Sequence, residues 1–127
     1  MEDFYITLET AKLLKEKGYN EICGYCITTD GDIYENQGYP AQKLGTKRFP
    51  YITQSAVLKW IREAHSWFLM FDYKFDTKEY IAYFWNLKYD RQQGLHKIRE
   101  DGKYLFQYSE YETCVEKAIK YFLENLI

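Results

Sequence analysis

Hydrophobic positions along the 127-residue chain follow two periods, one helical and one extended. Leu8, Ala11 and Leu14 recur at helical spacing. They predict a helix over Thr7 to Lys17, with Thr7 as N-cap and Gly18 as the stop. Val57, Trp60, Ile61 and Ala64 form the clearest stripe and predict a helix over Thr53 to His65, with Lys59 and Glu63 paired on its polar side. Val115, Ala118, Ile119 and Phe122 predict a last helix over Ser109 to Leu126, opened by a capping box between Ser109 and Glu112.

Between these helices the pattern alternates. Trp67, Leu69, Phe71, Tyr73 and Phe75 share one strand face, and Phe68, Met70, Asp72 and Lys74 share the other. Asp76-Thr77-Lys78 turns the chain, and Tyr80 to Tyr89 reads as the antiparallel partner, with Ile81, Tyr83, Trp85, Leu87 and Tyr89 on one face. Ile22 to Thr28 is extended, Asp30-Gly31 is a turn, and Ile33 to Glu35 returns as the second strand of an earlier hairpin. Gln37 to Pro50, with Gly38, Pro40, Gly45 and Pro50, reads as a loop. Asp90 to Lys103 reads as a polar, basic loop with a weak strand at Leu95 to Arg99. The order α-β-β-α-β-β-α predicts one α+β domain over residues 1–127. Its two hairpins would build one antiparallel sheet of about four strands with helices packed on it.

Composition adds an aromatic surplus. Aromatics make up 20% of the chain, including 14 Tyr, a residue suited to half-buried sheet faces and interfaces. Apolar residues at 46% and charged residues at 28% are a globular balance. The opening MEDFYITLET has neither a basic nor an apolar signal region, and no apolar run reaches the roughly 20 residues of a membrane span. With three cysteines, an odd number, this pattern predicts a cytoplasmic protein that makes no membrane contact.

The net charge of −2 predicts no general attraction to nucleic acid, but the charge is uneven. Residues 1–40 carry −5, residues 41–103 carry +5 and residues 104–127 carry −2. The basic middle therefore supports one sharper reading, a nucleic-acid-binding module. Lys88, Arg91, Lys97, Arg99 and Lys103 would contact the polyanion beside sheet aromatics. Neither the RRM aromatic signature nor a KH G-x-x-G loop accompanies them.

Cys23-Gly24-Tyr25-Cys26 is the one motif that suggests sulfur chemistry. A redox C-x-x-C pair lowers its thiol pKa at a helix N-terminus, whereas ITTDGDIYE after Cys26 reads as strand and turn. A structural zinc needs four ligands; beyond this pair only Cys114, His65 and His96 are available, each standing singly. The cysteines are read as structural, and no metal or cofactor is expected. His65 at the end of its helix is read as a partner of the helix dipole. No P-loop, G-x-G-x-x-G, G-x-S-x-G or H-E-x-x-H occurs, so no catalytic residue is assigned.

Phe68, Met70, Tyr80 and Phe84 are expected to cluster on the second sheet face, rimmed by Asp72 and Lys74. Such a cluster is either a second core layer or an interface, with self-association about a two-fold axis as the commonest arrangement.

YITLETAKLLKEKGYNE, YITQSAVLKWIREAH and YSEYETCVEKAIKYFLENLI together resemble a group of small uncharacterised proteins recurring in gut anaerobic bacteria and their phages and prophages. The resemblance covers both ends and the middle helix, with the W-I-R-E segment its most specific part, and departs in the loops around Cys23 and Cys26. It implies a bacterial or phage context and carries no mechanism. The expected function is a non-enzymatic accessory or protein-interaction domain, with nucleic-acid binding as the alternative.

Overall fold

The computed structural model of the chain describes residues 4–90, 94–96, 99–100, 103–104 and 106–127, with the backbone alone for residues 95, 99–100 and 103–104. Helix α1 spans Leu8–Glu16 and helix α2 spans Gln54–His65. Thr7 caps α1 as predicted, its hydroxyl accepting from the Thr10 amide at 3.3 Å, and Thr53 caps α2 in the same way, accepting from the Ala56 amide at 3.2 Å. Gly18 takes a left-handed φ of 97° just past α1, a conformation glycine adopts without steric cost. Helix α3 spans Tyr111–Asn125 with Glu110 at the N-cap position and no side-chain cap. The Ser109–Glu112 capping box is thus corrected: the helix begins late enough to leave Ser109 outside the cap position.

The α+β class holds, but the single four-stranded sheet does not. The first hairpin, β1 (Tyr25–Thr28) and β2 (Ile33–Glu35), gains a third strand, β3 (Arg48–Tyr51), in the order β2-β1-β3. Strand β3 lies inside the segment read as a loop. Pro50 argued against a strand there, yet β3 is a sheet edge, where a missing amide donor is tolerated.

The second hairpin, β4 (Trp67–Lys74) and β5 (Glu79–Asn86), forms a separate sheet. Two short strands, β6 (Leu95–His96) and β9 (Gln107–Tyr108), both pair with β5. Between them β7 (Arg99–Glu100) pairs with β8 (Lys103–Tyr104). Among the described residues the two predicted hairpins do not pair with each other: β3 joins the first at β1, and β6 and β9 join the second at β5.

The core is where the three helices meet the sheets. Leu14, Ile61, Phe84, Ile119 and Phe122 are fully buried there. Each such side chain contributes about 1.5–3 kcal/mol relative to exposure. On α2 the stripe is Gln54, Val57, Trp60 and Ile61; Ala64, expected in it, is exposed.

The β4–β5 register corrects the proposed aromatic cluster. Leu69 faces Phe84 and Tyr73 faces Tyr80, whereas Phe68 faces Trp85 and Met70 faces Tyr83. Tyr80 and Phe84 therefore lie on the helix-facing side, and Phe68 and Met70 lie on the opposite one. Residues 75–78 between the paired strands set this parity, which alternation within each strand leaves open.

Candidate functional site

The outer face of the second sheet is not a bare apolar patch. The Arg62 guanidinium lies over the Phe68 ring at 5.8 Å, and the Tyr83 hydroxyl donates to Asp72 at 2.6 Å. Gly94 packs directly on this face: a Cβ there would lie 2.5 Å from the Asn86 carbonyl oxygen and 2.9 Å from Trp85 Cδ1. The Trp85 indole N–H beneath it is buried without a hydrogen-bond partner among the described residues.

Of the five basic residues assigned to polyanion contact, Lys88 is exposed just beyond β5. Arg91 and Lys97 lie outside the described residues, and Arg99 and Lys103 are described as the backbone of β7 and β8. They carry no argument for a joint site.

Cys23, Cys26 and Cys114 are free and buried. Burial pushes the Cys23 thiol up and Cys114 up to about 12, away from the thiolate that redox or nucleophilic chemistry needs. Among the described residues no group of His, Cys, Asp and Glu is arranged to hold a metal ion. His65 is a correction. Its ring is edge-on to Trp60 at 4.8 Å and to Phe122 at 6.3 Å. Burial, with Lys88 nearby, lowers its pKa and favours the neutral ring over a cation serving the helix dipole. His96 lies against Trp67 at 5.3 Å.

The densest polar cluster is one that sequence reading missed. Glu116 on α3 accepts through Oε2 from the Thr7 amide at 3.1 Å and from the buried Thr10 hydroxyl, with the Thr7 hydroxyl oxygen 3.0 Å away. Its Oε1 accepts from the buried Gln54 amide at 3.1 Å, and Gln54 also donates to the Glu112 carbonyl at 3.0 Å. One carboxylate thereby ties the N-termini of α1 and α2 to the middle of α3. The available signal was Gln54 standing in phase with Val57 and Ile61 on an apolar stripe. Every donor is matched within the protein, so the cluster is a structural junction. Glu116→Ala should cost about 2–4 kcal/mol by stranding buried donors, read as a lower urea midpoint; a loss under about 1 kcal/mol would contradict the junction.

The first sheet presents a different surface. Strand β2 is an edge strand whose outer side pairs with no other strand among the described residues. It leaves Ile33 at 49% and Tyr34 at 48% exposure on its two faces, with Tyr25 exposed on the neighbouring strand. Beside it runs a cleft of about 630 Å³ between the sheet and the 36–47 loop, walled by Asn36, Tyr39, Lys43, Lys47 and Arg48.

The loop is pinned. Lys15 Nζ donates to the carbonyls of Leu44, Gly45 and Arg48 at 3.3, 2.8 and 3.0 Å, and burial lowers its pKa. Gln42 donates to the Lys15 and Tyr19 carbonyls at the end of α1. Asn36 donates to the Cys23 and Tyr39 carbonyls and accepts from the Tyr39 amide. The sequence signal for this cleft was the stretch from Asn36 to Arg62, which holds no acidic residue.

The chain matches no protein-family model, no curated protein and no solved structure. Among the described residues no helix is long and apolar enough to cross a membrane.

Proposed function

We propose that the protein is a non-enzymatic interaction domain that binds a protein partner through the open edge of its first sheet. The observation that carries this reading is β2, an edge strand with apolar side chains exposed on both faces. Such an edge offers unpaired backbone groups for strand addition, and flanking side chains select the partner. Shortness limits run-on pairing, so Ile33 and Tyr34 supply the anchors. The resemblance to proteins of gut bacteria and their phages supports a partner from a bacterial or phage-infected cytoplasm. Self-association through the same edge is the homodimeric form of this reading.

The test compares the wild type with Ile33→Glu/Tyr34→Ser. Both side chains are exposed, so stability should change by under about 1 kcal/mol. Sedimentation and quantitative pull-down from a bacterial host should show a partner, or a second copy, retained by the wild type and lost from the variant. Retention of the same partners by the folded variant would exclude the β2 edge as the binding surface.

A further inference from the structure

We propose that the cleft beside β3 is a binding site for an organic phosphate carrying a planar ring, the chemistry of a nucleotide. This site adjoins the β2 edge, sharing Tyr34 and Glu35 with it, but its argument does not rest on that edge binding a protein.

Lys43, Lys47 and Arg48 converge on one cleft in which Glu35 is the acidic wall residue. Neither lysine has an ion-pair partner among the described residues. Arg48 is held with its guanidinium over the Tyr34 ring at 5.6 Å. A guanidinium held over a ring face by cation–π attraction can still donate its N–H groups to phosphate oxygens. Like charges gathered in one concavity repel, and a dianion between them removes that repulsion while gaining charge-assisted hydrogen bonds. Thr46 and Gln37, also in the wall, carry neutral donors suited to the remaining oxygens.

Tyr39, 58% exposed in the cleft wall, offers a ring face against which a base can stack. A volume of about 630 Å³ suits a ligand of mononucleotide size.

Preorganisation is the second line of support. Lys15 donates to three loop carbonyls, Gln42 ties the loop to the Lys15 and Tyr19 carbonyls, and Asn36 bridges the Cys23 and Tyr39 carbonyls, which together hold the 36–48 backbone in place before any ligand arrives. A loop already fixed loses less entropy on binding.

The probes are adenosine monophosphate, adenosine, inorganic phosphate and a short single-stranded oligonucleotide, titrated calorimetrically into the full chain at low and physiological salt. Adenosine monophosphate should bind at least tenfold tighter than either adenosine or inorganic phosphate. Lys43→Gln/Lys47→Gln, both exposed and outside the core, should weaken it at least tenfold with an unchanged melting temperature. Lys78→Gln/Lys88→Gln removes the same charge elsewhere and should leave binding within about twofold, because screening confines distant charges to roughly a Debye length. An oligonucleotide binding tighter than the mononucleotide, and equally sensitive to Lys43 and Lys47, would identify a nucleic-acid strand as the source of the phosphate. Adenosine binding as well as its phosphate would overturn the proposal. So would equal losses in the two double variants, or no binding of any phosphate probe at millimolar concentration.

Discussion

Phe84→Glu should abolish cooperative folding at neutral pH. Phe84 is completely buried, opposite Leu69, with its ring edge-on to Phe106 at 5.5 Å and tilted against Tyr121 at 5.7 Å. Leu69, Phe106 and Tyr121, which stand around that ring, carry no cation to pair with a carboxylate. The substitution removes an aromatic anchor, which costs about 3–5 kcal/mol, and buries a charge that must either be protonated or drag water inward. The sum matches or exceeds the roughly 5–15 kcal/mol that holds a typical domain together. Circular dichroism should show loss of helix and a non-cooperative melt. Phe68→Glu is the matched control. Phe68 points from the other face of the same hairpin, is partly exposed, and has Arg62 over its ring, so a carboxylate there has a cation within reach. That variant should stay folded. Similar behaviour of the two variants would show that the β4–β5 register is shifted.

Trp60→Ala should destabilise the protein by about 3–5 kcal/mol. Trp60 is 8% exposed, and its indole is edge-on to Tyr19 at 5.5 Å and to His65 at 4.8 Å. Truncation removes both aromatic contacts and leaves a cavity between α2 and the segment after α1, which α1 and the Gln42 contacts hold too firmly to collapse. Urea titration should show a lower midpoint with an unchanged slope, as expected for lost packing without a change in surface exposed. Ala64→Ser, on the exposed side of the same helix, should stay within about 0.5 kcal/mol. A cost below about 1 kcal/mol for Trp60→Ala would mean that α2 faces the core by another stripe.

The local elements were legible because their causes are local. Thr7 and Thr53 cap α1 and α2 through amides three residues on, and Gly18 ends α1 through its own φ. The alternation from Trp67 to Lys74 specifies a strand wherever it is placed. The burial of Cys23 and Cys26 likewise follows their reading as structural residues of the segment entering β1.

What depended on distant partners was not legible. Strand β3 exists because β1 has a second edge to fill, a reason lying outside the segment that contains Pro50. Phe84 and Phe68 are both aromatic residues on strands of one hairpin. The residue count of the 75–78 connection decides which of them faces the helices, because side chains alternate with a period of two. Glu116 reads as an ordinary helix acid until α1 and α2 bring Thr7, Thr10 and Gln54 to it. The basic cleft followed the same rule: the middle of the chain was visibly basic, and its charge was assigned to Lys88 through Lys103 because those residues are close in sequence. Lys43, Lys47 and Arg48 are instead gathered by a loop that Lys15, far back on α1, holds by its carbonyls. Periodicity, caps and turns act over a few residues and were determined by the sequence alone; which edges pair, which face turns inward and which charges share a cleft were decided by contacts between segments far apart in the chain.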